Sequence, residues 1–319
     1  MLFEKQIVRM YQKRMQHRMD PDGWCFYFSP SDFAGLVCET FSFLNGEGDT
    51  MTAYAYYYGQ KDTVHPVVFD HGMGCGHISY MRDIEHLASR GFTVLTYDHT
   101  GCLNSGGAHV RALSQSLADL DAFLTHLEGG EEYRHADFRV VGHSWGGFST
   151  YNIAAYHTKV THVVPMSGFR SVRVMLQSQM RGLLRYFIPA VEREEMRLNP
   201  RHALADALHT LQHSGVKLFA VHSIDDPVVS FSANFQPLAE QLCERENTVF
   251  LSYHDRVHNP YNTIDAVEYL NDFYQKRTER RKHPATEEEK KAFVDSFDFY
   301  RMTAPNLELW DEICAFLNS

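Results

Sequence analysis

Five residues, Gly142-His143-Ser144-Trp145-Gly146, pose the chemical question. They follow the short apolar run 138–141 and precede a helix-like segment at 147–157. Small residues two positions either side of a serine are what a nucleophile elbow needs. There the serine sits on a cramped turn between strand and helix, where larger neighbours would collide with the backbone. A serine hydroxyl is a poor nucleophile until a base takes its proton, and a buried acid holds that base in the right tautomer. Two downstream turns offer such partners. His222-Ser223-Ile224-Asp225-Asp226-Pro227-Val228-Val229 follows the apolar run 218–221 and puts carboxylates at a strand's C-terminal end, where open parallel sheets place catalysis. His254-Asp255-Arg256-Val257-His258-Asn259-Pro260 follows the run 248–253 and supplies a histidine. A developing oxyanion also needs backbone N–H donors, and one of them belongs to the residue after the nucleophile, Trp145.

The elements that must position these residues are legible as alternating patterns. Apolar runs at 67–69, 93–97, 138–141, 162–166, 218–221 and 248–253 alternate with amphipathic segments at 77–89, 114–126, 147–157, 234–245 and 263–276. This is the signature of parallel strands joined by crossover helices. Upstream, 38–43 and 51–58 flank Asn45-Gly46-Glu47-Gly48-Asp49 and read as an antiparallel hairpin. The expected fold class is therefore α/β, a mostly parallel sheet flanked by helices, in a single domain over 1–319. The segment 170–215 exceeds a simple crossover and carries Met175, Met180, Leu183, Leu184, Phe187 and Ile188. Two expectations stand for it: a helical cap that holds an acyl chain, or ordinary core. Residues 1–19 set Phe3, Ile7, Tyr11 and Met15 at helical spacing, with Lys5, Arg9, Lys13, Arg14 and Arg18 on other faces. Docking on the body of the protein is the expectation there, ahead of a membrane surface. Residues 277–291 read as a solvated loop and helix start, and 292–319 as a closing helical region.

Composition narrows the partners. The 319 residues are 44% hydrophobic and 22% charged, enough for a substantial core. Thirty Lys and Arg against 40 Asp and Glu give a net charge of −10, which repels phosphate backbones and anionic lipid, so no nucleic-acid partner is expected. The six cysteines show no C-x-x-C spacing and read as reduced thiols of a cytoplasmic protein. No run of 18 apolar residues and no secretory signal are seen, so no stable membrane insertion is expected.

With His71-Gly72-Met73-Gly74 after the first parallel strand and Asp98 with Gly101 after the second, the elbow and the two turns complete a set. From about residue 38 to about 275 the chain resembles the serine hydrolases of the α/β-hydrolase superfamily, close to its esterase, lipase and aminopeptidase-like branches. That architecture orders its triad Ser, then Asp or Glu, then His. The resemblance assigns the second oxyanion donor to the N–H of Met73, and leaves the side chains of Met73 and Trp145 to shape the pocket. The family's acid turn, roughly H-G-x-x-D-P-V-V, selects Asp226 ahead of Asp225. Ser223 stands where the family often has glycine, which keeps Asp225 open. The family places its histidine late in the loop, before a turn residue, which favours His258 over His254. Hydrolysis of a carboxylic ester through an acyl-enzyme on Ser144 is then implied, with a small acyl substrate and no cofactor. Thioesterase, acyltransferase or aminopeptidase chemistry would use the same atoms. The alternative of another class is a ligand-binding protein that kept the fold without catalysis.

Competing readings of the same residues fit less well. Gly72-Met73-Gly74-Cys75-Gly76 with Asp98 mimics a dinucleotide-binding unit, but that pattern demands glycine where His77 stands. Asp98 is instead expected to be structural and to bond the turn containing Gly101. His71 and His77 lack the companions of a metal site, so no metal is expected. Halide or epoxide chemistry would need an aspartate in place of Ser144.

Overall fold

The computed structural model describes residues 2–319; Met1, the first residue of the expected N-terminal helix, lies outside them. Eight strands form one sheet: β1 (Val37–Leu44), β2 (Thr50–Tyr57), β3 (Val67–Asp70), β4 (Val94–Tyr97), β5 (Phe138–His143), β6 (Val160–Met166), β7 (Lys217–Ser223) and β8 (Thr248–Tyr253). Their order across the sheet is β1-β2-β4-β3-β5-β6-β7-β8. The hairpin is present as read, with Val37 opposite Tyr57 and Leu44 opposite Thr50, and β2 also runs antiparallel to β4. All other neighbouring pairs are parallel.

Twelve α-helices lie among the described residues: α1 (Leu2–Met15), α2 (Met81–Ser89), α3 (Gln115–Gly129), α4 (Trp145–Asn152), α5 (Val172–Gln179), α6 (Ile188–Leu198), α7 (Ala207–His213), α8 (Phe231–Gln241), α9 (Ile264–Arg280), α10 (Glu287–Asp295), α11 (Phe299–Met302) and α12 (Leu307–Leu317). Because successive strand residues point to opposite faces, the sheet supports two cores. Val68, Leu95, Val140, Val163 and Leu218 face the core built with α3, α4, α7 and α8. Val67, Phe69, Val94, Val141, Val164 and Val221 face the other, closed by α2 and by Leu309, Trp310, Ile313 and Leu317 of α12. The closing helical region of the sequence thus covers a sheet face.

The strand order fixes where chemistry can sit. The chain leaves β3 for β4 on one side through α2, then returns past β3 to β5 through α3, so the direction of winding reverses between β3 and β5. At such a switch point the loops after the two strands part and open a crevice at their C-terminal ends. The loop holding Met73 and the turn holding Ser144 are those two loops.

Helix α2 carries a testable electrostatic burden. It buries Asp83 beside Met81, Ile84 and Leu87, and burial pushes the Asp83 carboxyl up to about 7, with Arg82 opposing only in part. An acid whose folded pKa is raised loses stability as pH climbs from its unfolded value, about 4, to its folded one. Asp83→Asn, which needs no ionisation, should gain on wild type by up to a few kcal/mol across that window and hold the advantage above it. Melting temperatures of both proteins from pH 5 to 8.5 check this; an advantage that does not grow with pH contradicts it.

The segment 170–215 divides. Val172, Val174, Leu176, Ile188, Val191 and Leu211 are buried, but of the residues singled out in the sequence only Ile188 is among them, and Met175, Met180 and Phe187 are partly buried. Between α5 and α6, however, a 3-10 turn over Gly182–Phe187 exposes Leu183 (80%), Leu184 and Tyr186 (77%). α1 docks as expected: Met15 is buried, Tyr11 bonds Glu195 of α6, and Gln12 donates to Glu194 at 2.7 Å. Phe3, assigned to the same stripe, is exposed instead. No helix among the described residues is long and apolar enough to cross a membrane, and all six cysteines are free thiols.

Candidate active site

The elbow forms because its neighbours allow it. β5 runs through His143 and α4 begins at Trp145, two residues earlier than the sequence pattern suggested, so the whole reversal falls on Ser144. Ser144 has φ 57° and ψ −110°, a conformation that costs a non-glycine residue roughly 1–3 kcal/mol and persists only where the surroundings impose it. The Ser144 N–H donates to the Met166 carbonyl at 2.9 Å, and the Ser144 carbonyl accepts from Phe148 N–H at 3.1 Å. A Cβ on Gly142 would strike Thr150 Oγ1 and the Gly146 carbonyl; one on Gly146 would strike the Asp70 carbonyl. Both glycines are therefore required by close backbone approach.

Ser144, His258 and Asp226, 114 and 32 residues apart in sequence, stand in one hydrogen-bonded series. Ser144 Oγ lies 2.8 Å from His258 Nε2, and His258 Nδ1 lies 2.7 Å from Asp226 Oδ2. Asp226 Oδ1 accepts from the N–H groups of Val228 at 2.8 Å and Val229 at 2.9 Å. Burial would raise the Asp226 carboxyl, but the His258 hydrogen bond and charge, with the Val229 N–H, outweigh it and hold the pKa below the usual carboxylate range. The Asp226 side chain is fully buried, whereas His258 is 17% exposed and Ser144 half-buried, so solvent reaches the serine end of the series. Buried His222 braces the turn from beneath, its Nε2 donating to the Val229 carbonyl at 2.9 Å. Asp225 and His254 are exposed and outside the series.

The N–H groups of Met73 and Trp145 lie on the two loops that flank the crevice, and among the described residues neither donates a hydrogen bond. The loop carrying Met73 is held from below. His71 Nδ1–H donates to the Gly72 carbonyl at 2.7 Å, and His71 Nε2 accepts from His99 N–H at 3.0 Å. Burial and the neighbouring His99 pull His71 down to about 3, so it stays neutral. His99 lies between Asp70 at 3.0 Å and Asp119 at 3.2 Å. Burial opposes charge on His99, but the two carboxylates prevail and push it up to about 9.

Two readings of side chains are corrected. Trp145 was expected to shape the pocket, but it is 1% exposed, its ring 4.7 Å from that of His99 and its Nε1 donating to the Leu113 carbonyl. The first residue of α4 must turn inward because the sharp reversal at Ser144 throws the helix back against the sheet. Met73, 40% exposed, does face outward. Asp98 is structural, as expected, and its main-chain carbonyl accepts from Ser105 Oγ in the turn containing Gly101, but its carboxylate has other partners. Its Oδ1 accepts from His77 N–H at 3.1 Å and pairs with His77 Nδ1 at 2.8 Å, and its Oδ2 accepts from Tyr54. Gly76, at φ 77°, brings the 76–77 backbone onto that carboxylate, while the turn at Gly101 closes on itself through the Gly106 carbonyl.

Eight strands, all parallel beyond β2 and its pairing with β4, with a strained serine between β5 and α4, decide the architecture. The chain has the fold of the α/β-hydrolase superfamily. Its likeness to solved hydrolase-fold structures is broad. An esterase from Pyrococcus furiosus superposes with a TM-score of 0.59 at 17% identity, covering 83% of this chain and 95% of that one. The esterase domain of a Rhodothermus marinus protein gives 0.51 at 18% identity over 75% and 98%. An α/β hydrolase from a Penicillium species gives 0.53 at 15% identity over 76% and 99%. The family model described as serine aminopeptidase matches residues 62–213, from before β3 to the end of α7. No curated protein is significantly similar in sequence. The family match and the hydrolase fold together support hydrolase activity.

Sequence reasoning had no role for His143 or Tyr80, which bond each other at 2.9 Å behind the serine. The available signal was a histidine inside the elbow itself, on the strand side of Ser144, where a polar side chain must find a buried partner.

Proposed function

We propose that the protein is a serine hydrolase that cleaves a carboxylic ester through an acyl-enzyme. The hydrogen-bond series from Ser144 Oγ to Asp226, 2.8 and 2.7 Å long, carries this reading. Ser144 Oγ attacks the carbonyl carbon as His258 Nε2 takes its proton. Asp226 holds Nδ1–H and stabilises the imidazolium. The N–H groups of Trp145 and Met73 receive the oxyanion. His258 then protonates the leaving alcohol, and water, deprotonated by His258, attacks the acyl-enzyme and frees the acid. These steps need no cofactor. Residues 170–215 act as the cap, with exposed Leu183, Leu184 and Tyr186, and outward-facing Met73 and Val228, as apolar surface for an acyl group; Gln179 Nε2 donates to the Val228 carbonyl at 3.4 Å, which sets the end of α5 against the acid turn. The free thiols fit a cytoplasmic setting.

One observation favours a second reading: the matched family model is described as serine aminopeptidase, so aminoacyl amides are the competing substrates. A panel of p-nitrophenyl esters of graded chain length, beside aminoacyl arylamides, separates them. Wild type should hydrolyse the esters and Ser144→Ala should not. Preference for the arylamides would overturn the ester assignment and keep the serine.

A further inference from the structure

His143 is buried, and both of its ring nitrogens are engaged. Nε2 lies 2.7 Å from the main-chain carbonyl of His258. Nδ1 lies 2.9 Å from the Tyr80 hydroxyl, which is itself 3.2 Å from the Gly72 N–H. A carbonyl can only accept, so the ring proton is on Nε2; Nδ1 then accepts from Tyr80 O–H, and the Tyr80 oxygen accepts from Gly72. Each donor has one acceptor and the direction of every bond is fixed. Burial, with the neighbouring His258, pulls His143 down to about 3, so the ring keeps this neutral tautomer at all working pH values. The loop that receives the bond is one that needs holding: Asp255 (φ 60°) and Val257 (φ 40°), the residue before His258, both occupy the left-handed region that non-glycine residues avoid.

We propose that His143 is a positioning residue for the base: it pins the His258 main chain and, through Tyr80, ties it to the main chain next to Met73. The proton acceptor and one oxyanion donor are thereby set against a single buried reference. The role rests on the serine-hydrolase reading above. It differs from simple packing because the Nε2–H bond fixes the His258 main chain by direction, whereas the contact of the two rings, centroids 4.7 Å apart, depends on ring volume.

The test uses the full-length protein, with kcat, KM and melting temperature measured on the best p-nitrophenyl ester. His143→Phe keeps a ring and removes both hydrogen bonds. It should lower kcat about 10-fold to 100-fold with KM within about twofold, since small misplacements of reacting groups act on the transition state. His143→Gln, whose amide N–H can stand near the place of Nε2–H, should recover most of kcat. His143→Asn, which reaches only the place of Nδ1, should not. Tyr80→Phe should cost less than His143→Phe, because the bond to His258 remains. A folded His143→Phe with wild-type kcat overturns the proposal, and so does an Asn variant as active as the Gln variant, which also decides the matter if the Phe variant does not fold. Wild type inactive on esters and arylamides alike removes the underlying reading and this role with it.

Discussion

His258→Ala should lower kcat for ester hydrolysis by about five orders of magnitude, with little change in KM and no loss of fold. The size of the effect follows from the geometry. Ser144 Oγ has its one base at 2.8 Å, and without it the hydroxyl keeps its proton at neutral pH. What remains is the oxyanion donors and substrate binding, which still act on the wrong protonation state of the nucleophile. Truncating His258 removes the partner of the buried Asp226 Oδ2 and opens a gap beside His143, which solvent already at the partly exposed imidazole can enter, while Asp226 Oδ1 keeps its two N–H donors. His254→Ala supplies the contrast. That side chain points to solvent four residues earlier in the same loop, and its removal should leave kcat within about twofold. Steady-state kinetics of the two variants on one substrate measure the difference. Equal losses, or a loss confined to His254→Ala, would mean that the loop works in another register.

Asp226→Asn should cost about 10⁴-fold in kcat, and Asp225→Asn almost nothing. In the native turn one carboxylate oxygen accepts from the Val228 and Val229 N–H groups and the other from His258 Nδ1–H. An asparagine keeps its carbonyl oxygen on the two N–H groups, which leaves its NH2 facing Nδ1. His258 must then turn Nδ1 into the acceptor and carry its proton on Nε2, where it can no longer accept from Ser144. The side chain has the right shape and the wrong hydrogen. Because Asp226 is buried and held as a carboxylate, the loss should persist across the neutral range rather than be rescued by raising pH. Asp225 lies one residue away on the exposed side of the turn, where a change of charge meets only water.

These contrasts also mark what the chain discloses by itself. The strands were readable because the buried ones are near-continuous apolar runs bounded by turn residues: 248–253 coincides with β8, and 138–141 falls two residues short of β5 because Gly142 and His143 do not look like strand. The three residues of the series were readable because each sits at a strand's C-terminal end in a turn with its own small-residue or proline punctuation. What escaped is what depends on long-range contact. The Asp98 carboxylate meets His77, and leaves the nearby turn to its main-chain carbonyl, because Gly76 presents that backbone to it. His143 bonds Tyr80, 63 residues upstream, and the main chain of His258, 115 residues downstream, and no local pattern records either pairing. The imidazolium between Asp70 and Asp119 is equally invisible, since three strand-end or helix residues converge only once β3, β4 and α3 have packed. The turn at Gly182–Phe187 could be read either as cap or as core because its leucines suit both, and only the structure, which puts Leu183 and Leu184 in solvent, removes the core alternative for them.

Everything turns on Ser144 being a nucleophile with a working base. A fluorophosphonate probe reads that directly, because its phosphorus is attacked by an activated serine oxygen with departure of fluoride, whatever acyl group the natural substrate carries. Intact-mass measurement of the labelled protein, followed by peptide mapping, should find one adduct per chain, located on Ser144, and none on folded Ser144→Ala or His258→Ala. Folded wild type that takes up no label, or carries it on another residue, would contradict the account.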